Sequence, residues 1–142
     1  MKIIGNKEIN YKIIMENIHE EQLLENVEFL DHLPQNQLYK EIVKAKACLL
    51  ISEGRWWCSF AKMVDYIALH MPVIALVPEI SEAKTQLSKA NLGVFLTNDL
   101  EQDLNILKNF FQQTEIKPNS EFCARYLASN QVNSFIKIIS KL

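Results

Sequence analysis

Ser59-Phe60-Ala61-Lys62-Met63-Val64-Asp65-Tyr66-Ile67-Ala68-Leu69-His70-Met71-Pro72-Val73-Ile74-Ala75-Leu76-Val77-Pro78 is the stretch that sets the fold class. Its first half places Phe60, Met63, Val64 and Ile67 at i, i+3, i+4 and i+7, the spacing of one buried stripe on a helix. Its second half is apolar at consecutive positions from Val73 to Val77, between two prolines. That is the pattern of a short strand buried on both faces. A helix that feeds such a strand is part of a parallel β-α-β unit.

The same alternation continues outward in both directions. Lys2 to Gly5, Val27 to Asp31, Ala47 to Ser52, Pro72 to Val77 and Gly93 to Thr97 are the strand candidates, each short and bounded by polar or turn residues. Between them, Leu38, Tyr39, Ile42 and Val43 form one helical stripe. Asp99 with Gln102 makes a capping-box-like start to another, with Leu100, Leu104, Leu107 and Phe111 expected on its packed face. Residues 119–142 read as one or two further helices with no strand after them. The prediction is an α/β fold: one parallel sheet of about five strands, helices on both faces, and a C-terminal helical tail. With no repeat, linker or low-complexity tract, residues 1–142 read as a single domain. Ile3-Ile4-Gly5 opens a strand almost at residue 1, which points to a piece of something larger.

Composition narrows the function. Fifteen Lys and Arg against seventeen Asp and Glu give a net charge of -2, which argues against a general nucleic-acid binder or a polybasic anchor. The longest apolar runs are a few residues, far short of the roughly 20 that a membrane span needs. Met1 to Asn6 turns polar too soon for a secretory leader, so the chain reads as cytosolic. Cys48, Cys58 and Cys123 show no C-x-x-C spacing, and His19, His32 and His70 show no paired metal-ligand spacing. No metal or cofactor is expected.

In a parallel sheet of this kind, ligands bind beyond the carboxyl ends of the strands, near a switch point in strand order. The longest such loop, Glu53-Gly54-Arg55-Trp56-Trp57-Cys58-Ser59, joins two tryptophans to an arginine. Such a loop packs either on its own domain or on a ligand. Ser59 then reads as a helix N-cap, with Lys62 in the first turn. A cation there faces the positive end of the helix dipole, which makes sense if an anion is shared between the free N–H groups and the ammonium. Asp65, three residues on, shares a face with Lys62 and is placed to accept bonds from ribose hydroxyls. The competing reading is a solvated ion pair between the two. No hydrolase, kinase or phosphate-loop motif occurs, and no catalytic residue is assigned.

Ala61-Lys62-Met63-Val64-Asp65-Tyr66-Ile67-Ala68-Leu69-His70-Met71-Pro72-Val73-Ile74-Ala75 resembles the K-x-x-E-Y-L-A-x-G-x-P-V-I-A signature of retaining GT-B type glycosyltransferases, group 1. Asn26-Val27-Glu28-Phe29-Leu30-Asp31-His32-Leu33-Pro34 resembles the family's N-V-x-F-L-G-x-x-P segment. Leu38-Tyr39, Ala45 to Ser52 and Ala90-Asn91-Leu92-Gly93-Val94 are similar to its later elements, in order over residues 2–97.

The resemblance implies the nucleotide-sugar-binding, Rossmann-like C-terminal half of a two-domain enzyme, working in polysaccharide or glycoconjugate synthesis. It implies a UDP- or GDP-type donor whose diphosphate and ribose meet Lys62 and Asp65, whose phosphates meet helix-start amides near Ser59, and whose base meets the backbone at His32 and Leu33. It further implies that the N-terminal domain, with the acceptor site, lies outside these residues, together with the first strand and loop of the C-terminal domain. The chain alone is then expected to be inactive and cytoplasmic, with any attachment to the inner membrane face made through the missing domain. Two departures stand out: Asp65 replaces a glutamate, shortening its reach by one methylene, and His70 replaces a glycine, which predicts a reshaped loop. The alternative is a non-catalytic α/β module that makes protein contacts through the Trp-Trp loop and an exposed sheet edge.

Overall fold

The computed structural model describes residues 1–5, 15–16, 24–52, 60–113 and 115–140, which fall into two compact units, Met1–Glu41 and Ile42–Leu142. In the first unit, β1 (Lys2–Ile4) pairs in parallel with β2 (Glu28–Leu30), Ile3 opposite Phe29. Glu28 N–H donates to the Met1 carbonyl (2.9 Å) and Gly5 N–H to Leu30 (3.2 Å), extending the ladder at both ends. A single-turn 3-10 helix (Leu24–Asn26) precedes β2, and α1 (Gln35–Ile42) follows it. Lys2 Nζ donates to Glu41 at 2.8 Å and lies 3.5 Å from Glu28. The hydrogen bond to Glu41, then the charge of Glu28, raise the pKa of this exposed ammonium.

The second unit carries β3 (Cys48–Ile51), α2 (Ala61–Ala68), β4 (Val73–Leu76), α3 (Glu82–Ala90) and β5 (Gly93–Phe95), with all three strands parallel in the order β3-β4-β5. Register aligns Leu50 with Ala75 and Phe95, and Cys48 with Val73 and Gly93. Alternation along a strand puts these two rows on one face, and Leu49, Ile74 and Val94 on the other. Leu50, Val73 and Ala75 of the first face join Met63 and Ile67 of α2, and Ala83, Leu87 and Ala90 of α3, in one buried cluster. Each large apolar side chain so buried stabilises the fold by about 1.5–3 kcal/mol. The Phe95 ring lies back over Gly93, so a Cβ there would push the ring aside. The outer face of that ring carries the Lys84 ammonium at 5.1 Å from its centroid.

α4 (Leu100–Gln112) starts at an Asp99 N-cap whose side chain accepts from Gln102 N–H at 2.9 Å, as the capping pattern predicts. Its packed face differs from the expected one. Leu100, Leu104 and Phe111 are exposed, Phe110 is buried, and Asp103, Ile106 and Leu107 are half-buried. The cause is the Asp103 carboxylate, which accepts from Thr97 N–H (2.7 Å), Thr97 Oγ1 (2.9 Å) and Asn98 N–H (3.1 Å). This turns the 103-106-107-110 stripe inward. Lys46 Nζ, donating to the Phe111 carbonyl at 2.7 Å, also sits 5.5 Å from the Phe111 ring centroid.

The tail is two helices. α5 (Ser120–Ala124) is tied to α3 by Asn119 N–H donating to Ala90 (2.8 Å) and by fully buried Cys123. α6 (Ala128–Ile139) is exposed at every position.

A strand lies inside each of the five expected ranges, all pairings are parallel, and the α/β class stands. The pairing differs from the single sheet predicted: the strands group as a pair and a triplet, and β3 is an edge strand among the described residues. Leu49 and Ile51 on β3 are consequently 49% and 56% exposed, although their sequence pattern is that of an interior strand.

Candidate functional site

Three strand-to-helix junctions lie in the second unit, and their polar groups are used differently. After β4, Ser81 Oγ donates to the Pro78 carbonyl (2.8 Å) and accepts from Lys84 N–H (3.2 Å), capping α3. After β5, Asp99 and Asp103 take up the amides of Thr97, Asn98 and Gln102. After β3 the arrangement changes. Ser52 is buried and its N–H donates to Leu76 at 2.9 Å. α2 then begins at an N-cap position held by Phe60, in extended backbone (φ -100, ψ 112), with no side-chain cap bond. Phenylalanine has no side-chain oxygen to offer; its carbonyl accepts from Met63 N–H at 2.9 Å, and what α2 lacks is a side-chain cap.

This corrects the expected N-cap: it is Phe60, while Ser59 falls outside the described residues, as do Arg55, Trp56 and Trp57. Lys62 lies in that first turn and is exposed. Asp65 is half-buried one turn on, with Met63 and Ile67 on the opposite, buried side. No ion pair between Lys62 and Asp65 is present in the described structure. Burial, then the neighbouring Cys48 and Asp65, push the Tyr66 phenol up from its ordinary pKa. Burial likewise pushes the half-buried Cys48 thiol up to about 11, the neutral form being the one an apolar setting favours.

The far end of α2 overturns the reshaped-loop expectation. His70 N–H donates to Ile67 O (3.1 Å) and Met71 N–H to Tyr66 O (2.8 Å), the pair of bonds that defines a Schellman C-terminus. His70 holds the left-handed position itself, at φ 58. The turn a glycine would make is kept, and buried Met71 packs beneath it.

His32 and Leu33 follow β2 in the first unit, His32 exposed and Leu33 half-buried, just ahead of Pro34, whose carbonyl accepts from Gln37 and Leu38 at the start of α1. They occupy the strand-end loop expected of them, in a different unit from Lys62 and Asp65. No cluster of His, Cys, Asp and Glu suited to a metal ion occurs among the described residues. The Asp103 clamp was invisible to hydrophobic periodicity; its one sequence signal is a second acid four residues after a capping Asp.

No family model, curated protein or solved structure matches this chain.

Proposed function

We propose that this chain is the donor-binding domain of a glycosyltransferase, holding a nucleotide-diphosphate sugar such as a UDP- or GDP-sugar at the start of α2. The observation that carries the reading is the α2 junction: of the three in its unit, it is the one whose N-cap residue has no capping side chain, and it places a cation, Lys62, in the first turn. A helix start without a side-chain cap, together with an ammonium in its first turn, suits a diphosphate. Asp65, one turn on, is the acid for the ribose.

Topology supports the location. The triplet β3-β4-β5 of the second unit is all parallel, and α2 follows its first strand. Ligands of parallel α/β sheets bind beyond the carboxyl ends of the strands, where the helix after β3 begins. That helix is α2. Transfer to an acceptor is assigned to a second domain, because reacting groups must be held at about 3–3.5 Å from one another.

Equilibrium titration with UDP- and GDP-sugars tests the reading. Saturable binding that is competed by the free nucleoside diphosphate, and not by the free sugar, is the expected result. A chain that binds none of these ligands favours the protein-contact module instead.

A further inference from the structure

β3 turns an apolar backbone edge away from its neighbour in the sheet. Cys48 N–H donates to the Pro72 carbonyl (2.8 Å) and Ser52 N–H to Leu76 (2.9 Å), so the even-numbered residues bond to β4. Alternation then directs the N–H and C=O groups of Leu49 and Ile51 to the opposite edge, where no strand pairs among the described residues. Their side chains are 49% and 56% exposed. Exposed edges are ordinarily blunted by a charge or a proline, and Cys48-Leu49-Leu50-Ile51 has neither.

The direction of these backbone groups defines what fits there, an extended strand. The sequence of β3 identifies the strand, because it is complementary to itself. Turned antiparallel about Leu50, a second β3 sets Leu49 of each copy opposite Ile51 of the other. These are the two residues whose N–H and C=O groups face outward, so the two pairs exchange four hydrogen bonds, all from within β3. On the face away from the buried cluster the same pairs bring leucine against isoleucine, a favourable cross-strand contact. The neighbouring register, Leu49 against Leu49, would have to recruit Ala47, which lies outside the strand. Charge favours the antiparallel sense. Lys44 and Lys46 both lie just ahead of β3. A parallel pairing would set Lys46 against Lys46, whereas the antiparallel one sends the two basic ends to opposite sides.

We propose that the β3 edge pairs with the β3 edge of a second copy of this chain, antiparallel about Leu50, joining the two triplets into one continuous sheet. An edge of four residues buries less than the roughly 1,200–2,000 Å² of a standard interface, so the dimer is weak and forms as concentration rises. The inference does not depend on the nucleotide-sugar reading, since no nucleotide enters its test.

Sedimentation equilibrium of the full chain from about 10 µM to about 1 mM is that test. The mass should rise from 16.5 kDa toward twice that value. Leu49→Glu and Ile51→Lys should each weaken the dimer about tenfold or more, because each change places a charge in both symmetric pairs. Both side chains are exposed, so circular dichroism and melting temperature should stay nearly unchanged. The variant carrying Leu49→Glu and Ile51→Lys together tests the register. Each glutamate then faces a lysine, and affinity should return to within about threefold of wild type. A chain that stays monomeric to about 1 mM overturns the proposal. So does a dimer that either single variant leaves intact, or one that the double variant fails to restore.

Discussion

Lys62 and Asp65 stand three residues apart on α2, Lys62 exposed and Asp65 half-buried, and no ion pair joins them in the described structure. Lysine contributes to the fold here mainly through its helix propensity, in which alanine is slightly better. Lys62→Ala should therefore change unfolding free energy by under about 0.5 kcal/mol, the usual range for a surface substitution. Urea denaturation of the two proteins checks this. A loss of several kcal/mol would mean that Lys62 has a structural partner and is not held in reserve for a ligand.

His70 bears a backbone cost that glycine would avoid. At φ 58 its Cβ crowds the following carbonyl, a strain of about 1–2 kcal/mol, part of which glycine returns through its greater freedom in the unfolded chain. His70→Gly should stabilise the chain by roughly 0.5–1 kcal/mol, read as a higher urea midpoint at unchanged slope.

Asp103 accepts three hydrogen bonds from Thr97 and Asn98 and fixes the rotation of α4. Asp103→Ala leaves two amides and a hydroxyl without their acceptor. Because the loop is exposed and water can replace part of the loss, the cost should be about 1–2 kcal/mol. Thermal melts of Asp103→Ala and Asp103→Asn should both fall, the asparagine variant less.

Burial of the Cys48 thiol gives a pH dependence of definite sign. A folded-state pKa of about 11, above that of an ordinary exposed thiol, means that the unfolded chain loses this proton first as pH rises. The contribution to stability is complete below about pH 9 and declines as pH climbs toward 11. Cys48→Ala should flatten that alkaline decline in a series of urea midpoints taken from pH 8 to 11, and native Cys48 should alkylate slowly at pH 8.

The strands were legible because consecutive apolar residues such as Val73 to Leu76 have no other use in a chain of this size. Their grouping was not, since nothing in Cys48-Leu49-Leu50-Ile51 says which strand lies beside it; an interior pattern on an edge strand became visible through the exposure of Leu49 and Ile51. The stripe of α4 was misjudged because periodicity counts apolar residues, while the helix was turned by a carboxylate. The start of α2 was misplaced by one residue because a hydroxyl at Ser59 is the stronger cap signal than the aromatic that holds the position. Lys62 and Asp65 are candidates from spacing and resemblance, and their role belongs to the proposal. The missing side-chain cap of α2 became visible against the capped starts of α3 and α4.

Calorimetric titration of UDP and GDP into the wild type, Lys62→Ala, Asp65→Ala and Asp65→Glu tests the donor-site assignment most directly. Charge-assisted hydrogen bonds to phosphate and ribose are worth about 1.5–3 kcal/mol, so each alanine variant should lose roughly tenfold or more in affinity, with the melting temperature of Lys62→Ala nearly unchanged. Asp65→Glu should hold or improve affinity, restoring the longer reach to the ribose. Nucleotide binding by the wild type that both alanine variants reproduce at full strength would contradict the account.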